Sequence, residues 1–408
     1  MRRFYFLLLV FAAFLFTPRA AWPQEPAGSA LAVRELWTRK STDGRSHNVE
    51  AIALGRSGDA DVLYVIERDS EPGPPSKSKD GDDVLWKLDA KGRVLHKELL
   101  RKTSSVSPTF ATIVPLRPPQ VGAIIVGMFE ERYGWSILRV NGAGKITGTR
   151  SLAGDSFPGA ALSPDGDGIL LVGNLGHDGL AWKADLDGNV LWKRTCRPKT
   201  SPDGKGYTDL VKTAFTDQEG GFVAAGWFRE SLNKFGLGKA SLWLASCDAK
   251  GTILAETMVP GRSPSIFAAQ KSRFTMLYDA SSALALDCRV RAMDSALKQE
   301  WERRAEFLSL WVDPPAISPI PSDRGYVLAG CNTTTDKVAR QECRLFQCDA
   351  NGQVVSSASI PITQKAFLFT RVVCAADRAY VAIQTKGMTP YDAREASIFE
   401  IRLRKQDR

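Results

Sequence analysis

A four-residue turn recurs along this chain and constrains its fold more than any other feature. The clearest copy is Asp248-Ala249-Lys250-Gly251, in which the Asp side chain can bond to its own backbone and the Gly can adopt a positive φ. Further copies begin roughly 50 residues apart, at Asp89, Asn141, Asp185, Asp294 and Asp349. In the copy at Asp294, Leu297 takes the place of the Gly. A period of this length with strand-like content predicts a propeller or an array.

Apolar segments around each turn predict four short strands per repeat. The second strand is usually closed by a Gly, and the third strand leads into the turn. The second strand recurs at Val62–Ile66, Ala123–Val126, Ile169–Val172, Phe222–Ala225, Phe274–Tyr278, Tyr326–Ala329 and Tyr380–Ile383. We therefore predict an all-β fold, a single seven-bladed β-propeller with four antiparallel strands in each blade.

The two ends of the propeller segment predict how the ring closes. The seventh repeat ends after Ser397 to Leu403 and has no fourth strand. The N-terminal Leu36-Trp37-Thr38-Arg39 resembles the fourth strands around Trp192 and Trp301. We predict that the N-terminal strand completes the last blade, which pairs a sheet edge that would otherwise be exposed. The alternative is a Trp in an unpaired tail.

The repeat also resembles those of a known class of protein. Gly-aromatic-Val-x-x-Gly followed by Trp-x-x-Asp-x-x-Gly-x-Val-Leu-Trp, clearest from Trp182 to Trp192, resembles the repeats of secreted bacterial β-propeller proteins. It is similar to the quinoprotein-type propeller repeat as well. The resemblance extends over about residues 31 to 404, but the motif is structural. It implies the fold, and it implies binding of proteins or glycans, which many propellers perform.

The first residues have the layout of a secretory signal. Arg2 and Arg3 precede an apolar run from Phe4 to Phe16, shorter than the roughly 20 residues that span a bilayer. We predict a signal peptide at 1–21, a disordered leader at 22–30, the propeller at 31–404 and a tail at 405–408. The protein is then periplasmic or extracellular, with no membrane insertion after cleavage. An uncleaved membrane anchor is the competing interpretation.

The charge pattern argues against nucleic acid as a partner. The net charge is +9, but the Lys and Arg residues are scattered along the chain. Nucleic-acid binding needs a basic stripe with interleaved aromatic residues, and a scattered pattern favours a solvated, mildly basic surface. We expect a monomer whose partner is a protein or a glycan.

Candidate ligand-binding residues come from the connections that share one face of the predicted propeller. His47 precedes the first strand of the first repeat, and His177 follows the second strand of the third. Both connections open on the same face, where propellers usually bind ligands, although ordinary solvated loops would look the same. The loops after second strands on that face are expected to contain Glu67-Arg68-Asp69, Glu130, Arg132 and Arg229.

Motifs of catalysis and of metal binding are missing from the sequence. We find no His-Glu-x-x-His, no phosphate-binding Gly loop with Lys and no Gly-x-Ser-x-Gly, and we predict neither a metal nor a cofactor. The leading hypothesis is an exported binding scaffold. The alternatives are a propeller hydrolase, lyase or quinoprotein-like enzyme with a site at the channel mouth, and a structural component of an envelope assembly.

One disulfide is predicted among the seven cysteines. Cys331 ends the second strand of the sixth repeat and Cys343 begins the third, so a hairpin can bring them face to face. An exported protein meets an oxidising compartment, which permits the bond.

Overall fold

The computed structural model confirms an all-β propeller of seven four-stranded antiparallel sheets. Six blades use consecutive strands, and the seventh has the order β1-β28-β27-β26 from the rim to the channel. The structure describes residues 31–39, 46–57, 59–70, 82–102, 111–128, 135–152, 156–163, 166–175, 178–197, 207–215, 221–229, 240–270, 273–280, 287–305, 316–321, 325–333, 341–362, 366–386 and 394–404. The predicted signal peptide, leader and tail lie outside these ranges.

Blades 1 to 4 contain sixteen of the strands, in chain order from the channel outward. They are β2 (Ser46–Ser57), β3 (Ala60–Ser70), β4 (Asp82–Asp89) and β5 (Val94–Lys102); β6 (Ala111–Pro115), β7 (Gly122–Met128), β8 (Trp135–Asn141) and β9 (Ile146–Leu152); β10 (Ser156–Leu162), β11 (Gly168–Leu175), β12 (Asp178–Asp185) and β13 (Val190–Cys196); β14 (Tyr207–Phe215), β15 (Phe222–Arg229), β16 (Ala240–Cys247) and β17 (Ile253–Pro260).

Blades 5 to 7 contain the remaining strands. They are β18 (Arg262–Gln270), β19 (Arg273–Asp279), β20 (Cys288–Asp294) and β21 (Gln299–Arg304); β22 (Ala316–Pro319), β23 (Tyr326–Thr333), β24 (Gln341–Cys348) and β25 (Val354–Ile362); β26 (Ala366–Cys374), β27 (Arg378–Lys386), β28 (Arg394–Arg402) and the N-terminal β1 (Val33–Arg39).

Seven apolar clusters hold the ring together, one between each pair of neighbouring blades. They form because side chains on a strand alternate between its two faces. In β3, Leu63 and Val65 pack toward blade 7, whereas Val62, Tyr64 and Ile66 pack toward blade 2. A strand that is buried on both faces has a continuous run of apolar residues, and this run made the second strands recognisable in the sequence.

The recurring turn packs closely against the outer strand of the preceding blade. Oδ1 of Asp248 accepts hydrogen bonds from the backbone amides of Lys250 (2.9 Å) and Thr252 (2.8 Å), and Gly251 has φ +80°. A Cβ at Gly251 would lie 2.8 Å from Cγ of Arg194 in the preceding blade. In blade 5, Leu297 keeps the same turn at φ 64°. The turn therefore accepts Leu in place of Gly, and its side-chain Oδ1 acceptor is supplied by Asp or, at Asn141, by Asn.

The N-terminal strand closes the ring as predicted. β1 pairs antiparallel with β28, with Thr38 opposite Ser397 and their hydroxyl oxygens 2.9 Å apart. We call the interface between blades 7 and 1 the closing seam. Trp37 is buried there and packs against Trp86 of blade 1, with ring centroids 6.0 Å apart.

Trp37 resembles Trp192 and Trp301 in sequence, but it lies at a different register in its blade. Trp192 lies opposite Lys183, two residues before the end of β12, whereas Trp37 lies opposite Ile398, four residues before the end of β28. A β-bulge between Glu35 and Trp37 accompanies this difference. Trp192 and Trp301 instead stack on the first residue of the second strand in the next blade, Phe222 and Tyr326, at 5.9 and 6.4 Å.

Removing Trp37 should weaken the closing seam specifically. We expect Trp37→Ala to lower the free energy of unfolding by about 3–5 kcal/mol, because it removes a buried aromatic side chain between two blades. Val33→Ala on the same strand is the matched control, since Val33 is 37% exposed, and it should cost less than about 1 kcal/mol. Deleting residues 31–39 should lower Tm or cause aggregation. Urea unfolding measures these effects, and equal stabilities for both point variants would contradict the seam.

Candidate functional site

One face of the propeller collects the connections between blades and those between second and third strands, and we call it the loop face. Of the predicted ligand-binding residues, Glu130, Arg132 and His177 lie outside the described residues. Arg229 is the last residue of β15, and its backbone pairs with Tyr207 on one side and Ala240 on the other. Its side chain is also outside the description. The structure thus gives surroundings only for His47, and ligand binding by these five residues stays a prediction.

His47 is buried at the closing seam and contacts an acidic residue. It is 3% exposed, and its Nδ1 lies 2.7 Å from Oε1 of Glu67, which is 1% exposed. The angles at these two atoms are outside hydrogen-bond geometry, so the contact is an ion-pair distance rather than an aligned bond. The described environment of His47 is therefore a protein carboxylate, not solvent.

Two further side chains complete this group, which we call the seam cluster: Arg39, His47, Glu67 and Trp86. Nε1 of Trp86 donates to Oε2 of Glu67 at 2.5 Å, and Nε of Arg39 lies 3.5 Å from Oε1 of Glu67. The guanidinium of Arg39 also sits over the Trp86 ring, 5.2 Å from its centroid. Arg39 is the last residue of β1, so the strand that closes the ring also brings a positive charge to the buried carboxylate.

More buried polar residues surround the seam cluster. Arg68 and Asp83 lie opposite each other on β3 and β4 and are 7% and 0% exposed. Across the seam, Nε2 of Gln384 in blade 7 donates to Oδ1 of Asn48 in blade 1. Buried polar groups are stable only when paired in this way.

The expectation that Glu67-Arg68-Asp69 form a loop is wrong, because β3 continues to Ser70. Counted from the turn end of the second strand, Glu67 occupies the place that Gly127, Gly173, Gly226 and Gly330 occupy in blades 2, 3, 4 and 6. Without a side chain, Gly226 leaves that space to the fully buried Trp243 opposite it. The departure of blade 1 from the Gly pattern was visible in the sequence, but its charge suggested solvent.

Blade 5 departs from the same pattern with Tyr278. Its hydroxyl donates to Oε2 of Glu302 at 2.7 Å and accepts from Nη2 of Arg291 at 2.9 Å, while Nη1 of Arg289 donates to Oε1 of Glu302 at 2.7 Å. Burial, followed by the bond to Glu302, raises the pKa of Tyr278 well above its usual range. Tyr278 therefore stays protonated as a donor within a closed network.

The channel itself carries a mixed ring of residues. Each second strand has one residue at the same height that packs toward the following blade. These residues are Ile66, Val126, Val172, Ala225, Leu277, Ala329 and Ala382. Each pairs with one residue of the innermost strand of its own blade. We call their partners the channel ring: Ala51, Thr112, Gly159, Lys212, Ser265, Ala316 and Arg371. Two of these seven positions are cationic.

A groove of about 500 Å³ lies elsewhere, at the rim between blades 2 and 3. Its charged groups bond to one another, since Arg139 pairs with Asp187 and Nε of Arg150 donates to the Asp187 carbonyl at 3.4 Å. The groove is part of the turn interlock between blades, far from the loop face.

Within the described ranges, no group of three or more His, Cys, Asp or Glu residues is placed to hold a metal ion. That part of the chain also contains no helix that is long and apolar enough to cross a membrane.

Cys331 and Cys343 lie directly opposite each other on β23 and β24, as the hairpin prediction requires. Cys343 carries a free thiol in this structure, with Sγ 3.9 Å from Oγ1 of Thr370, and the Cys331 side chain is outside the described set. The disulfide stays a prediction. The other described cysteines are buried thiols, and burial raises the pKa of Cys196 to about 11 and that of Cys374 to about 12.

Comparison with known proteins identifies the fold. No protein-family model matches the chain, and no curated protein does. The hydrazine synthase of Kuenenia stuttgartiensis aligns with a TM-score of 0.52 at 10% sequence identity, over 87% of this chain and 95% of that one. The C-terminal WD40 domain of Sif2 aligns with a TM-score of 0.47 at 11% identity, over 93% of this chain and 100% of that one. The likeness is one of fold alone.

Truncating Glu67 should be costly because it leaves buried partners unpaired. We expect Glu67→Ala to lower the free energy of unfolding by about 3–5 kcal/mol. The matched control is Glu98→Ala, which removes a carboxylate 2.9 Å from Nε2 of His96 on a partly exposed strand and should cost less than about 1 kcal/mol. Chemical denaturation followed by tryptophan fluorescence measures both. Similar costs for the two variants would show that the seam cluster is not a buried charge group.

Thiol titration tests the cysteines. Buried thiols are inaccessible and react slowly, so the native protein should leave the six described cysteines unmodified by Ellman's reagent. In denaturant all seven cysteines should react if none is bridged, and two fewer if Cys331 and Cys343 form the predicted bond. Rapid reaction of several thiols in the native state would contradict their burial.

Proposed function

We propose that this protein is an exported seven-bladed propeller that binds a protein or glycan partner on its loop face. The observation that carries the proposal is the pairing of two carboxylates, Glu67 and Glu302, beneath that face. Glu67 contacts His47, Trp86 and Arg39, and Glu302 is bonded to three donors. A general acid or base must reach the proton it transfers, and these groups are occupied within the protein.

The arrangement of the loops favours binding as well. In all seven blades the strand ends that these connections join lie on one face of the ring, and binding residues are often found on loops positioned by such scaffolds. Leu175, at the end of β11, is 43% exposed on this face and lies opposite Asp178, next to the segment that contains His177. An exposed apolar residue beside charged ones is a common composition for a recognition surface.

Export is supported by the sequence. The charged residues Arg2 and Arg3, the short apolar run after them and the small residues Ala20 and Ala21 have the layout of a signal peptide. The resemblance to repeats of secreted bacterial propellers supports the same compartment. The protein would then act in the periplasm or outside the cell.

The proposal is tested with the chain from residue 22 onward, screened on an array of neutral, uronate-containing and sulfated saccharides and by photo-crosslinking to envelope proteins. We expect a specific ligand whose affinity falls at least about tenfold in Leu175→Asp, because the charge disrupts the loop face. Leu254→Asp is the matched control: Leu254 is 66% exposed near the opposite face, at the start of β17, and this variant should bind normally.

Two outcomes would overturn the proposal. One is the absence of any ligand in both screens alongside measurable turnover of a substrate. The other is equal affinity of the two Leu variants for the ligand found, with both variants folded by circular dichroism, because the partner would then bind elsewhere.

A further inference from the structure

Two cations occupy equivalent positions on opposite sides of the channel. Lys212 in β14 pairs with Ala225, and Arg371 in β26 pairs with Ala382. In blade 4, Val223 and then Ala225 pack toward the following blade, and in blade 7, Tyr380 and then Ala382 do so. Ala225 and Ala382 therefore occupy equivalent positions, and their partners Lys212 and Arg371 lie at the same height of the ring. Blades 4 and 7 are three steps apart in a ring of seven, which makes them nearly opposite.

The two side chains act on each other through the channel. Lys212 is exposed although it lies on an innermost strand, so the space it reaches is open to water. Burial within the surrounding blades, followed by the positive charge of Arg371, lowers the pKa of Lys212 to about 8. A lysine that is both accessible to water and enclosed by protein fits a side chain that points into a narrow channel.

The rest of the ring leaves space around the cations. The other five positions are small: Ala51, Thr112, Gly159, Ser265 and Ala316. Thr112 and Ser265 can donate hydrogen bonds, and the Ala and Gly residues do not fill the channel. Ala51 and Gly159 are buried, so the polar groups of the ring are the two cations and the hydroxyls of Thr112 and Ser265.

Among the described residues, the Lys212 ammonium makes neither a hydrogen bond nor an ion pair, whereas Nη1 of Arg371 donates to the Thr370 carbonyl at 3.1 Å and Arg371 has further contacts. The acidic residue nearest the ring in sequence is Glu50, half-buried at the bulge of β2 just before Ala51, and it has contacts of its own. Even with Glu50 counted, the two cations leave the ring with an excess of positive charge.

We propose that the channel ring is a binding site for an anionic group, held between Lys212 and Arg371. This deepens the proposed function and rests on it: the group would belong to the partner bound at the loop face, or to a small anion bound with it. The guanidinium suits a planar carboxylate or the oxygens of a sulfate or phosphate, which it can bind through two parallel hydrogen bonds. The ammonium supplies a point charge from the opposite wall.

The experiment is isothermal titration calorimetry of the chain from residue 22 onward at pH 6.5, where Lys212 is protonated. The probes are sodium sulfate, glucuronate and, as a neutral match for glucuronate, glucose, all at constant ionic strength. The variants are Lys212→Met, which removes the charge at similar length, and Lys212→Arg, which keeps it. Lys145→Met is the control, because Lys145 is exposed in the turn of blade 2.

We expect one equivalent of sulfate or glucuronate to bind, and no glucose. Lys212→Met should weaken binding at least tenfold, while Lys212→Arg and Lys145→Met should keep it. Preference for sulfate would indicate a sulfated or phosphorylated group as the natural ligand, and preference for glucuronate would indicate a carboxylate. Lys212→Met should also unfold at a higher temperature than the wild type without anion, because it removes an enclosed charge, so the variant remains measurable.

The proposal fails if neither anion binds at concentrations up to about 10 mM, or if Lys212→Met binds as well as the wild type. The two proposals fail separately. Loss of anion binding with a loop-face partner still captured would refute the channel site alone. Anion binding by the purified chain, together with no ligand found in either loop-face screen, would support the channel site and count against the loop-face partner.

Discussion

The pairing of β1 with β28 is the contact on which the rest of this structure depends. Without β1 the last blade would end at its third strand, β28, and here the missing rim strand comes from the opposite end of the propeller segment. That pairing places β1 and β28 in one sheet, so blade 7 is complete and packs against blade 1. Trp37 and the apolar side chains of blades 1 and 7 then form the same kind of cluster that separates the other blades.

The closing seam is also where buried charge collects. A buried ion group adds little net stability compared with an apolar core, because each charge loses its hydration. Its value lies in selectivity: His47 and Trp86 belong to blade 1 like Glu67, and the positive charge of Arg39 reaches this carboxylate only when β1 pairs in the observed register. We infer that the seam cluster helps to specify how the ring closes, which accounts for a buried glutamate where other blades have glycine.

Much of the fold could be predicted from local chemistry. The Asp-led turns and the doubly covered second strands are read from a few adjacent residues, and even the turn at Leu297 forms as expected. The register of Trp37 could not be predicted, because a bulge after Glu35 changes which residues face each other without altering the sequence match. Glu67 and Arg68 were assigned to a loop because charge normally marks solvent, and only their partners explain their burial. Lys212 and Arg371 come to equivalent positions of the ring only through the closed fold, so no local pattern connects them.

Hydrogen–deuterium exchange followed by mass spectrometry tests the central claim most directly. If the N-terminal strand completes the last blade, the amides of Val33–Arg39 that bond to β28 will exchange slowly, whereas the outward-facing amides of this edge strand exchange fast. Complete exchange of the 33–39 peptides within seconds, while β28 remains protected, would contradict the closed ring.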